Sequence, residues 1–264
     1  MSVIEILVII VAGVLVGFIN TLSGGGSVIS LSLLLILGLP ANIANGTNRI
    51  SIFFQTLSSV GSFTRQKMFT NLRPVWLSIP ATVGSVMGAY LAVDVSEKVV
   101  EIAMAVAMVI MLFFLFYKPD KWLKEKPLML DKPLRWWQFL IFFGVGFYGG
   151  FIQVGVGYFL LMALVLGVGY DLVKANAVKN LIVFFYAIFA LLVFIVDGKV
   201  NYLYGLILSA GSMVGALIAS YLAVKKGAGF IRAVIVFSVL LTILQVSGLI
   251  NFAALYQRLL QVNP

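Results

Sequence analysis

The chain reads as an all-α, polytopic helical membrane protein made of two homologous halves, and three observations carry that reading. Of its 264 residues, 62% are hydrophobic and only 10% are charged, against roughly 25% charged in an ordinary soluble domain. Apolar runs recur from the first residues to about residue 250, and about 20 such residues, rising about 1.5 Å each, span the hydrocarbon core of a bilayer. Glycine and amide signatures from the first half also recur, in the same order, in the second.

Ten apolar segments follow one another: 3–22, 27–38, 44–63, 74–93, 98–117, 136–152, 156–168, 175–196, 200–223 and 229–250. Two of them, 27–38 and 156–168, are too short to cross a bilayer unaided. The first segment lacks a basic leader region and a following polar domain, so no cleaved signal is expected. The only long polar connection is 118–135, with Lys118, Lys121, Lys124, Lys126, Lys132 and Arg135 against Asp120, Glu125 and Asp131. Its three prolines, Pro119, Pro127 and Pro133, argue against a continuous helix. The chain therefore divides into a first membrane repeat (1–117), a basic linker expected on the cytoplasmic side (118–135), a second repeat (136–250) and a tail (251–264). In the tail Phe252, Leu255 and Leu259 fall at helical spacing, which suits an interfacial helix.

The duplication is legible as three ordered matches. Gly17-Phe18 lies over Gly146-Phe147 at an offset of 129, and Ala44-Asn45 over Ala175-Asn176 at 131. Gly84, Ser85 and Gly88 lie over Gly211, Ser212 and Gly215 at 127. Small residues four apart let helices approach closely in lipid, and packing is a sufficient account of these last pairs. If all ten segments cross, the halves have opposite topology and the loops at 64–73, 118–135 and 224–232 lie inside. If the short segments re-enter instead, the halves run parallel and Lys225, Lys226 and Arg232 end up outside. The positive-inside rule favours the first scheme, inverted repeats.

Composition also excludes chemistry. There is no Cys and no His, which removes disulfides, thiolate and imidazole ligands, and imidazole acid–base catalysis. Asp94, Glu97, Glu101, Asp171 and Asp197 fall at or near segment ends, and Glu5 lies near the start. Metal-dependent membrane hydrolysis or desaturation has little to work with, so neither an enzyme nor a cofactor or metal is expected. The net charge of +9 sits in short loops and marks topology, not nucleic-acid binding. The partners expected are the lipid bilayer and a small anion; a homodimer is left open.

The candidate site begins at Ser23-Gly24-Gly25-Gly26, a helix break inside an apolar stretch. In lipid, backbone leaves helical geometry only where protein or a watery cavity satisfies its freed groups. The segment after the break then begins with free N–H groups, which favour anions. Gly155-Val156-Gly157 is the counterpart, and paired Gly-interrupted segments point to a transporter's binding site. Close packing without ligand is the competing account. Next, Asn45, Thr47, Asn48 and Arg49 are matched by Asn176, Lys179 and Asn180. Intramembrane cations are functional candidates by default, although Arg49 and Lys179 could instead snorkel to the interface. The predicted substrate site is Asn20, Thr21, Ser23, Gly24, Gly25, Gly26, Thr47, Asn48 and Arg49 with Gln153, Gly155, Gly157, Asn176, Lys179 and Asn180: backbone donors from glycines, orienting amides and hydroxyls, and a forked cation. A carrier and a passive channel share such features.

The stretches "GFINTLSGGGSVISL", "PAN…GTNR", "GFYGGFIQVGVGYF" and "KANAVKN" resemble the sulfite exporter TauE/SafE family of membrane permeases, over nearly the whole chain. That resemblance implies transport of sulfur-containing anions such as sulfite, sulfonates or sulfoacetate across a bacterial inner membrane. Two departures stand out. Members often have Asp where this chain has Asn20 and Gly149, and Gly-Pro where it has Gln153-Val154. A proton-coupling role assigned to that Asp does not carry over.

Overall fold

The computed structural model describes residues 1–69, 73–95, 98–99, 102, 106 and 133–246. Most of segment 98–117, the linker up to residue 132 and the tail 251–264 lie outside the described residues. Every regular element described is helical: α1 (Val3–Leu22), α2 (Ser27–Ile36), α3 (Ala41–Arg65), α4 (Arg73–Asp94), α5 (Trp136–Phe151), α6 (Val156–Met162), α7 (Leu172–Val196) and α8 (Tyr202–Val246). A π-helical turn, Ala163–Val168, prolongs α6. Among the described residues four helices are long and apolar enough to cross a membrane: Val3–Leu22, Val75–Asp94, Leu172–Val196 and Tyr202–Leu241. The 25-residue α3 matches them in length but not in composition. Asn45, Thr47, Asn48, Arg49, Ser51, Gln55, Thr56 and Ser59 are buried on it.

Local chemistry sets the boundaries. Ser2 and Glu5 form a reciprocal capping box at the start of α1. The Asp171 carboxylate accepts from the Val173 and Lys174 amides at the start of α7. Gly227, at φ +75° and ψ −167°, breaks α8 into the two segments expected there.

Each half packs its first helix on the fourth helix of the other. Gly13 and Gly17 of α1 lie against Leu208–Ser212 of α8, and Gly211 and Gly215 against Ile10 and Val14. The same arrangement places Gly146 and Gly150 of α5 on Ala81 and Ser85 of α4, and Gly84 and Gly88 on Phe143 and Phe147. A Cβ at these glycines would run into backbone of the neighbouring helix, so close packing explains the small-residue pairs.

The contact register gives direction. Along α3 and α8, Gly46 meets Lys199, Ser51 meets Ser212 and Gln66 meets Ser220, so the two run in the same sense. Across α3 and α7, Gly46 meets Phe194, Phe53 stacks on Phe184 and Ser59 meets Asn180, so those two oppose. Helices α1, α3 and the first part of α8 share one direction; α4, α5 and α7 share the other. The short helices α2 and α6 return the chain between parallel neighbours.

Candidate functional site

The two helix breaks touch. Gly24 has φ +88° and Gly155 has φ +69°, the left-handed region that glycine enters without a Cβ penalty. A Cβ added to Gly24 would strike the backbone of Gly157, and one on Gly157 would strike Gly24. Backbone from one half therefore crosses backbone from the other. Gly25 faces the Tyr158 hydroxyl and Gly26 the Val16 carbonyl.

A helix that stops inside a membrane leaves its last carbonyls without intrahelical partners and presents the negative end of its dipole. In this fold the opposite half supplies the donors. At the end of α1, Asn176 Nδ2 donates to Leu22 O (3.0 Å), and Asn180 Nδ2 to Thr21 O (3.1 Å). Lys179 Nζ donates to Asn20 O (2.9 Å) and Thr21 O (2.7 Å). At the end of α5, Asn45 Nδ2 donates to Phe151 O (2.8 Å), while Arg49 Nη1 and Nη2 donate to Gly149 O and Gly150 O, each at 2.6 Å. Arg49 also donates to Gln153 Oε1 (3.1 Å) and Asn45 Oδ1 (3.3 Å), with its guanidinium 5.1 Å from the Phe194 ring centroid. Arg49 is 0% and Lys179 1% exposed, so neither cation snorkels.

Beside the crossing lies a cavity of about 20 Å³, room for about one water. Six of the expected residues line it: Asn20, Gly24, Gln153, Gly157, Lys179 and Asn180. Ser27, Gln55, Thr56 and Val183 line it too and were not foreseen. The remaining candidates stand behind this wall. Thr21 and Asn176 belong to the α1 brace and Arg49 to the α5 brace. Ser23 donates to Ile19 O and accepts from Ser238. Thr47 accepts from the Asn201 amide, and Asn48 from Ser30 Oγ at 2.7 Å. Gly155 is the left-handed cap of α6.

One expectation needs correcting. The first N–H group of α2 is not free, because Asn20 Oδ1 accepts from the Ser27 amide at 3.0 Å and Asn20 Nδ2 donates to Ser27 Oγ at 3.3 Å. The folded chain has filled that position with its own amide, leaving Lys179 as the formal charge on the cavity wall. Among the described residues no carboxylate is buried. Polar walls with one cation and, among the described residues, no buried carboxylate form an environment that favours an anion.

The sequence pattern of the sulfite exporter TauE/SafE family matches residues 9–246. The chain belongs to that family. Among its relatives, a probable membrane transporter protein of Haemophilus influenzae is 28% identical over 232 residues, 85% of this chain and 87% of the relative. The Sinorhizobium probable membrane transporter protein ORF9 is 28% identical over 234 residues, 86% of each chain. The Escherichia coli K12 probable membrane transporter protein YfcA is 32% identical over 235 residues, 87% of this chain and 84% of the relative. No solved structure matches the chain. For this TauE/SafE member, both braces and the cavity fall within the matched region.

Proposed function

We propose that this protein is a secondary transporter of a small anion of the sulfite or organosulfonate class, working by alternating access between two inverted repeats. The observation that carries the reading is Lys179 on the wall of a polar cavity where both helix breaks cross, with no buried carboxylate among the described residues. The family and the relatives' names support a transporter. Opposite helix directions in corresponding positions support inverted repeats, a common frame for alternating access. A passive channel can share such polar glycine breaks, and concentrative flux separates the two.

Charge placement supports an orientation in a bacterial inner membrane. Arg65, Lys67, Arg135, Lys174, Lys225 and Lys226 gather at one end of the bundle, with Asp171. Glu5, Asp94 and Asp197 lie toward the other, with Lys98 and Lys199. The basic end is the cytoplasmic one.

The test is a thermal-shift screen of purified protein against sulfite, sulfate, thiosulfate, sulfoacetate, taurine and common carboxylates, since ligands that bind the folded state raise its apparent stability. Selective stabilisation by sulfur oxyanions, with concentrative flux that an uncoupler collapses, is the expected result. Stabilisation by none of them, or flux that merely follows the gradient, refutes the reading.

A further inference from the structure

The two cations at the helix breaks pose a problem of charge. Arg49 and Lys179 are buried completely or nearly so, and all their hydrogen bonds go to carbonyl or amide oxygens, which carry no net charge. Among the described residues neither has a carboxylate partner. Burying a charge without a counter-ion is costly. Among the described residues Arg49 Nε also has no hydrogen-bond partner, although it is buried.

Gln153 connects this charge to the cavity. It lines the cavity, accepts from Arg49 Nη1 at 3.1 Å through Oε1, and donates from Nε2 to the Tyr186 hydroxyl at 2.9 Å. Its backbone lies at φ +69°, a region a side chain such as glutamine enters rarely and holds only when its surroundings fix it. Here both ends of the amide are held. A glutamate of the same shape would satisfy both partners as well, because the Tyr186 hydroxyl can turn from accepting to donating. Glutamate would also supply the missing counter-ion. The chain has the neutral isostere instead.

We propose that Gln153 sets the charge specificity of the site: because it is neutral, Arg49 and Lys179 lack an internal counter-ion, and the transported anion fills that role. This rests on the anion-transport reading above. A carboxylate at 153 closes the charge balance from within and excludes the substrate. An amide that merely orients the substrate, or merely holds Arg49, has no such dependence on charge.

The experiment compares unaltered protein, Gln153→Glu and Gln153→Met, each purified and checked by size exclusion. Melting temperature is read without ligand, and affinity is read with sulfite and with sulfoacetate. Gln153→Glu should melt above the unaltered protein without ligand and lose roughly tenfold or more in affinity for both anions. Gln153→Met, which keeps the charge but loses the hydrogen bonds, should lose less affinity than Gln153→Glu. Equal losses in the two variants, unchanged affinity in Gln153→Glu, or failure of Gln153→Glu to fold would each overturn the proposal. If neither anion binds the unaltered protein, the transport reading fails by itself. A raised melting temperature in Gln153→Glu would then still show an uncompensated site, and an unraised one would remove the inference as well.

Discussion

The brace on α1 and the brace on α5 solve one problem with different residues. Asn176 and Asn45 do the same work on Leu22 and Phe151, and the two acceptors stand at the duplication's own offset. The cations do not correspond. Arg49 falls in register with Asn180, and Lys179 with Asn48, so the charge has moved one residue along the helix, or about 100° around it. Arg49 reaches two carbonyls with two nitrogens. Lys179 reaches the equivalent pair with one nitrogen, and Asn180 adds a third bond. As a result the lysine stands on the cavity wall and the arginine stands behind Gln153. A duplicated frame has thus given one half a structural cation and the other a cation within reach of a ligand.

The largest effect tests the crossing that both braces serve. Gly24→Ala places a Cβ in the backbone of Gly157 at a positive φ, where neither side has a flexible end to move. Gly157→Ala makes the reciprocal collision. Each should cost about 4 kcal/mol or more and sharply reduce folded protein in the membrane. Gly25→Ala meets the tip of the Tyr158 side chain instead and should be milder. Fluorescence-detected size exclusion ranks the three, and normal folded yield for Gly24→Ala would show that the breaks do not need to touch.

Next come the two cations, exchanged for neutral residues. Lys179→Gln should reduce anion affinity roughly 10- to 150-fold, the range for losing a charged hydrogen-bond partner. Arg49→Gln should also weaken anion binding, though less than Lys179→Gln does because Arg49 stands behind Gln153, and should in addition cost about 2–4 kcal/mol of stability as the Gly149 and Gly150 carbonyls lose their donors. Titration calorimetry and thermal melting of the same preparations separate the two quantities. If Arg49→Gln abolishes binding while melting normally, the assignment of roles is reversed.

Much of this frame was legible beforehand. The approximate places of the described segments, the interruption between 223 and 229, the packing glycines and the match of Asn45 with Asn176 follow from apolar runs and internal repetition. The exchange of partners was not legible, since no local pattern in "ANGTNR" says that Arg49 will reach Gly149, a hundred positions away. Burial of Arg49 and Lys179 was undecided for the same reason: the depth of a residue depends on what packs above it. Gln55 and Ser27 were missed for different reasons. Ser27 looked like the first turn of α2, with no sign that Asn20 would cap it. Gln55 did carry a signal, because Asn48, Ser51, Gln55 and Ser59 form a polar stripe at helical spacing along α3. That stripe faces inward, and Gln55 reaches the cavity from it.

The smallest expected effect bears most directly on the difference between the braces. Lys179 shows that one ammonium, correctly placed, bonds both last-turn carbonyls of a broken helix, at 2.9 and 2.7 Å. Arg49→Lys should therefore keep most of the α5 brace. It gives up the contact with Gln153 Oε1 and the broad guanidinium face over Phe194. Those losses amount to about 1 kcal/mol, with the charge at the break retained. The variant should fold, melt only a few degrees lower and bind sulfite within a few-fold of the unaltered protein. The outcome differs sharply if the fork of Arg49 holds the anion itself, since a point charge cannot reproduce a bidentate contact. Arg49→Lys would then melt almost normally while losing affinity as severely as Lys179→Gln. Side-by-side sulfite titrations of the two variants decide which half of the molecule carries the ligand's charge partner.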